Sequence, residues 1–148
     1  MINDIYDYIE SGFKVFGLHG STGGACNCGD AECTAILKHP IMSNWQNVPN
    51  WSDEQIECFD EMGHFNSGFG VLVKGFLVVD VDARNGGVPS FKKLCKDVPS
   101  LLECAFIVNT GSGGGSQHWY FKLGDDDKTK SLMQTNKKYA GIDFKTSG

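Results

Sequence analysis

Two runs of strand-forming residues, Phe69-Gly70-Val71-Leu72-Val73 and Phe76-Leu77-Val78-Val79-Asp80-Val81-Asp82, flank a Lys74-Gly75 pair. β-Branched and aromatic residues at this density, split by two turn-forming residues, predict a β-hairpin in the middle of the chain. A hairpin demands a sheet, and the flanking patterns say what surrounds it. Residues 3–10 read as a short helix with Asn3 or Asp4 as its cap, ended by Gly12, and residues 13–18 as a buried strand. Ser52 is an N-cap for a helix from Asp53 to about Met62, with acids in the first turn as the helix dipole favours. Pro89 to Lys96 reads as another helix, stopped near Pro99, and strands follow at about 104–109, 117–123 and 141–145. This order predicts an α+β fold with a mostly antiparallel or mixed sheet flanked by helices. No repeat or linker divides the 148 residues, so one domain over 1–148 is expected, long enough to bury a core without disulfides.

Four groups of residues carry chemistry. Asp80 and Asp82 alternate with the apolar Val79 and Val81, so both carboxylates should leave one face of a strand. Two carboxylates that close repel unless a cation lies between them, and Mg or Mn suits all-oxygen ligands. A short D-x-D at the end of a strand is more often simply solvated. Thr110-Gly111-Ser112-Gly113-Gly114-Gly115-Ser116 runs into Gln117-His118-Trp119-Tyr120-Phe121. Glycine amides and hydroxyls there can converge on a triphosphate, although the segment precedes a strand and lacks the Lys-Ser/Thr ending of a P-loop. A glycine run taken alone is more often a turn, and a strand histidine more often structural. Gly141-Ile142-Asp143-Phe144-Lys145 puts Asp143 and Lys145 on the polar face of a strand, where Asp143 is a third carboxylate for a two-metal site.

The fourth group lies in residues 19–50, a stretch with little periodicity and many Gly, Asn, Pro and Cys residues. A loop that long inside a compact domain needs a cause. Cys26, Cys28, Cys33 and His39 match a tetrahedral Cys3His zinc site, with His19 as the rival fourth ligand. The remaining cysteines, Cys58, Cys95 and Cys104, read as core thiols.

Composition narrows the classes. Apolar runs such as Phe76 to Val79 are far too short to span a membrane. Met1 to Asp7 has no basic n-region, and six cysteines without a secretory signal predict a cytoplasmic protein without a disulfide framework. The net charge of −5 opposes broad, non-specific nucleic-acid binding. It is unevenly spread: residues 1–79 hold three lysines against ten acids, and residues 80–148 ten basic against eight acidic residues, three of them in Asp125-Asp126-Asp127, a solvated loop. The basic surplus therefore falls in the half with the triphosphate-like segment.

The succession of motifs is more specific than any one of them. The Cys/His loop ending in Lys38-His39-Pro40 and followed by Trp45, then Asp80-Val81-Asp82 with Gly86-Gly87, Thr110 to His118 with Tyr120-Phe121, and Gly141-Ile142-Asp143, resembles the N-terminal domain of bifunctional DNA primase/polymerases. These belong to the archaeo-eukaryotic primase superfamily and occur in plasmid and phage replication proteins; the resemblance covers about residues 10–148. It implies a primase-polymerase (RRM-like) fold with a zinc-binding loop insertion. It also implies a nucleotidyltransferase that extends a 3′-hydroxyl with (d)NTPs on a single-stranded DNA template. Asp80, Asp82 and Asp143 would hold two Mg or Mn ions. Ser116, His118, Lys145 and the Gly113–Gly114 backbone would bind the triphosphate. Cys26, Cys28, Cys33 and His39 would hold zinc. The expected setting is the cytoplasm of a bacterial, archaeal or phage-infected cell, with a helicase domain or partner, and the chain is expected to continue beyond Gly148 into further strands.

Two readings from other classes compete. A metal-dependent nuclease would use the same carboxylates and histidine, but would degrade nucleic acid without any triphosphate. A non-catalytic module would grip a single strand through the zinc loop and Trp45, Trp51 and Trp119. Neither needs a phosphate cradle beside the carboxylates.

Overall fold

The computed structural model describes residues 2–103, 106–123 and 138–146. Its contacts gather the chain into two compact units, residues 1–72 and 73–148. Cys104, the first two residues of the strand expected at 104–109, and Asp125-Asp126-Asp127 lie outside the described residues.

In the first unit, helix α1 (Ile2–Glu10) buries Ile5 and ends before Gly12. Strand β1 (Lys14–Gly17) follows. The 19–40 excursion carries only a two-residue hairpin, β2 (Ser21–Thr22) with β3 (Ala25–Cys26). Its neck is stitched by backbone bonds: His19 N–H donates to His39 (2.8 Å), Ile41 N–H donates to Gly17 (3.0 Å), and Leu18 bridges Pro40. Helix α2 (Asp53–Glu61) starts as expected, and its cap is reciprocal. Ser52 Oγ accepts from Gln55 N–H while Gln55 Oε1 accepts from Ser52 N–H. Strand β4 (Phe69–Leu72) pairs antiparallel with β1, and Ile5, Val15, Ile56 and Phe65 form the core beneath. Cys58 is exposed and not a core thiol: it sits two residues from the buried Ile56, about 200° around the helix.

The second unit is a four-stranded sheet built from β5 (Phe76–Val81), β6 (Phe106–Asn109), β7 (Gln117–Lys122) and β8 (Ile142–Lys145), with helix α3 (Gly87–Asp97) between β5 and β6 in sequence. The spatial order is β6-β7-β5-β8, antiparallel throughout. Val79, Val81 and Ile142 face Phe91 and Leu94 of α3, with Trp119, Phe121 and Phe144 packed around them. Each fully buried Val or Ile contributes about 1.5–3 kcal/mol of transfer free energy, so this face fixes the sheet's orientation on the helix. Cys95 packs against this cluster, as a thiol near the core should.

The central hairpin does not form. β4 pairs with β1, and β5 belongs to the other sheet, so Lys74-Gly75 carries the chain from one sheet to the next. The turn itself is real, with Phe76 N–H donating to Val73 (2.9 Å). The reason lies in β5, whose Phe76, Val78, Val79 and Val81 are all buried. A strand this deeply buried needs partners for the backbone N–H and C=O groups along both edges, and β7 and β8 supply them. Among the described residues no helix is long and apolar enough to cross a membrane.

Candidate active site

Register, more than sequence distance, assembles the polar face of the second sheet. Asp80 stands directly opposite His118 on β7 and Asp143 on β8. Residues opposite each other in an antiparallel pair share a face, with Cα atoms about 4.5–5.5 Å apart. The row His118–Asp80–Asp143 therefore crosses three adjacent strands on the face opposite α3. One step along, Lys145 is opposite Val78, and its Nζ reaches back to Asp80 Oδ2 at 2.5 Å. His118 Nε2 lies 3.3 Å from Asp80 Oδ1. The His118 hydrogen bond first, then Lys145, holds the Asp80 carboxyl at about 2 against a burial that pushes it up. Asp143 has no side-chain partner among the described residues.

The other nitrogen of the histidine ring is also held. His118 Nδ1 lies 3.3 Å from the Tyr120 hydroxyl. A carboxylate only accepts, so Nε2 must carry the proton that faces Asp80. In the neutral ring Nδ1 is then an acceptor, and Tyr120 O–H donates to it. His118 thus keeps an Nε2–H donor on the polar face whether the ring is neutral or charged.

Asp82 sits one residue beyond β5 and caps a short 3-10 turn, Ala83–Asn85. Its Oδ1 accepts from the Arg84 backbone N–H (3.0 Å) and Nε (3.1 Å), and its Oδ2 from Arg84 Nη2 (3.2 Å) and Asn85 Nδ2 (2.8 Å). The Arg84 side chain is the leading cause of a lowered Asp82 pKa. Behind this turn three backbones meet. A Cβ on Gly87 would lie 2.6 Å from the Gly141 carbonyl and 2.7 Å from both Asp82 N and O. Gly87 N–H donates to the Asp82 carbonyl and Asp82 N–H to that of Gly141, each at 2.8 Å. The glycines flanking the acidic residues thus set the distance between the Asp82 turn, α3 and the start of β8.

The glycine segment closes on itself: Thr110 N–H donates to Ser116 (3.1 Å), Gly113 N–H to Thr110 (3.2 Å), and Ser116 N–H to Gly113 (3.0 Å). Gly113 to Gly115 follow one another in the left-handed region. Gly113 N–H is therefore spent inside the loop, whereas Gly114 N–H has no backbone partner among the described residues. Ser116 is 4 % exposed, and its Oγ accepts from Ala83 N–H (3.0 Å), bracing the Asp82 turn. This brace, the Tyr120 contact and the double engagement of Arg84 were not readable from motif spacing. The Asp82-x-Arg84-Asn85 run, typical of a capped turn, was the one available signal for the last.

In the first unit, Cys26, Cys28, Cys33 and His39 bring their ligand atoms within 4.8 Å of one another, the one such His/Cys/Asp/Glu group among the described residues. His39 Nδ1 lies 3.3 Å from Cys33 Sγ and 3.9 Å from Cys26 Sγ. A zinc tetrahedron with ordinary Zn–S and Zn–N bonds has an S···N edge of about 3.5 Å, between those values. The donor set and spacing fit zinc, with His39 ligating through Nδ1. His19 is outside the group, and its ring packs edge-on against His39 at 5.2 Å. The Asp30 backbone amide holds the Cys28 thiol below its usual range, which favours the thiolate.

The three tryptophans, each half-buried, make packing contacts. Trp51 Nε1 donates to the Val15 carbonyl (2.9 Å), Trp45 leans on Phe16, and Trp119 lies against Phe91 on the α3 side of the sheet.

A family model, bifunctional DNA primase/polymerase, N-terminal, matches residues 6–148. No curated protein and no solved structure matches the chain.

Proposed function

The chain belongs to the bifunctional DNA primase/polymerase N-terminal family, and on that premise we propose that it is a template-directed nucleotidyltransferase, a DNA primase/polymerase with the primase-polymerase fold. The observation that carries this reading is the row His118–Asp80–Asp143 across three strands, with Asp82 at the end of the central one. The three aspartates offer carboxylate oxygens, the donor set of Mg or Mn. Asp80, Asp82 and Asp143 would hold two such ions, which lower the pKa of a 3′-hydroxyl and neutralise the leaving pyrophosphate. The 3′-oxygen attacks the α-phosphorus, its proton is lost, and the bond to the pyrophosphate oxygen breaks.

The chain's own groups bind and orient. His118 offers Nε2–H to a phosphate oxygen, the Gly114 amide adds a neutral donor, and Lys145 a cation. Ser116 acts through the turn that it braces. The Cys3His group would hold zinc and close the 19–40 excursion, a structural part. The substrates are (d)NTPs and a single-stranded DNA template, the setting cytoplasmic replication of a plasmid, phage or similar element, and the partner a helicase domain or protein.

Incubation with primed and unprimed single-stranded templates, labelled dNTPs and NTPs, and Mg or Mn tests this on one gel. Extension products are expected, and Asp143→Asn should abolish them while its circular dichroism stays that of the wild type. Template degradation without triphosphate, or undiminished extension by Asp143→Asn, overturns the assignment.

A further inference from the structure

Every oxygen of Asp82 is taken, but the four donors are not alike. The Arg84 amide and Asn85 belong to the capped turn, whereas the guanidinium arrives on a side chain 69 % exposed to solvent. Withdrawing it leaves the carboxylate still held at one contact per oxygen. The cost is small, because an ion pair this exposed contributes little.

The guanidinium also starts from a telling place. Ala83, the residue before it, donates its N–H to Ser116 Oγ, and its Cβ would be 3.5 Å from a Cβ placed on Gly114. Arg84 therefore leaves the main chain between the acidic residues and the glycine segment. It is the only basic residue between Lys74 and Lys92 in sequence. In charge terms, Asp80, Asp82 and Asp143 face two monocations among the described residues, Lys145 on Asp80 and Arg84 on Asp82. A nucleoside triphosphate that brings divalent cations gives the carboxylates stronger partners and gives the side-chain cations a new anion. The planar fork of arginine matches two phosphate oxygens as well as it matches the two of a carboxylate.

Building on the function proposed above, we infer that Arg84 is a nucleotide-binding residue that rests on Asp82 and exchanges this carboxylate for the triphosphate of the incoming nucleotide. Two consequences separate this from a purely structural pair. Loss of the guanidinium weakens nucleotide binding, and it leaves Asp82 at least as available to a metal as before.

The experiment measures binding, without turnover. A fluorescent dATP analogue is titrated in Ca2+ by anisotropy, and Mn2+ alone is titrated by electron paramagnetic resonance. Arg84→Gln should lower nucleotide affinity roughly tenfold, the scale of one charge-assisted phosphate contact. Arg84→Lys should fall between, since it keeps the charge and loses the fork. Lys92→Gln, an exposed cation on α3, should bind as wild type. Mn2+ affinity of Arg84→Gln should be unchanged or higher. Nucleotide affinity equal to wild type, a loss matched by Lys92→Gln, or Mn2+ affinity that falls in step overturns the inference. If the wild type itself binds neither Mn2+ nor the analogue, the proposed function falls first.

Discussion

Gly86 and Gly87 are adjacent, yet replacing each by alanine tests different physics. At Gly86 the backbone is left-handed (φ 81°) and nothing lies within 4 Å of an added Cβ. The expected cost is conformational alone, about 1 kcal/mol. At Gly87 the backbone is helical, where alanine is ordinarily better than glycine by about 0.5–1 kcal/mol. The added Cβ, however, would stand 2.6–2.7 Å from the Gly141 carbonyl and from Asp82 N and O. All three are main-chain atoms, so no side chain can swing aside. Relief requires shifts of about half an ångström through two 2.8 Å hydrogen bonds, Gly87 N–H to Asp82 and Asp82 N–H to Gly141. Overpacking of about 1–3 kcal/mol plus about 1 kcal/mol for each weakened bond exceeds the helical gain. The expected net loss is roughly 2–4 kcal/mol. Urea denaturation of both variants measures it, with Gly87→Ala the weaker of the two. A Gly87→Ala protein as stable as wild type, or more stable than Gly86→Ala, refutes the three-backbone junction.

Two further outcomes follow from the side chains. Asp80 titrates at about 2 in the folded chain against 3.8 ordinarily. A depressed carboxylate stabilises above its unfolded pKa, so its contribution is complete above about pH 4 and disappears as pH falls toward 2. Allowing for solvent screening it amounts to roughly 1–2 kcal/mol; the difference between wild type and Asp80→Asn in urea midpoints should shrink across that window, and parallel curves would remove the ion-pair account. At the Cys3His group, protein purified with zinc should carry one metal per chain and Cys33→Ala none. Hydrogen exchange of residues 19–40 should rise when the metal is chelated. Stoichiometric zinc in Cys33→Ala, or unchanged exchange after chelation, would count against the site.

The pieces of the site were legible because each is a local pattern. Alternation around Asp80 and around Asp143 put each on the polar side of its own strand. Ser52 specified a helix start, and the Cys/His spacing named a tetrahedral set. Pairing was not legible, because it depends on which edges remain free. The Lys74-Gly75 turn looks the same whether or not the strands on either side of it pair, and the largely buried β5 claimed β7 and β8 instead. Asp82 likewise reads as a solvated or metal-binding acid in sequence. Only the turn after β5 reveals the four donors on it.

By itself, then, the sequence determined the element types, the polar and apolar faces, the cysteine-histidine set and the order of motifs that places the chain in its family. Those properties come from chemistry within a few residues, where period and spacing suffice. The tertiary structure decided the register that lines up His118, Asp80 and Asp143, the choice of His39 over His19, and the burial of Ser116 behind the Asp82 turn. It also brought Gly87 and Gly141, 54 positions apart in the chain, into backbone contact. These depend on shape complementarity between segments distant in sequence. No local pattern encodes that, because the free energy belongs to the pair and not to either member.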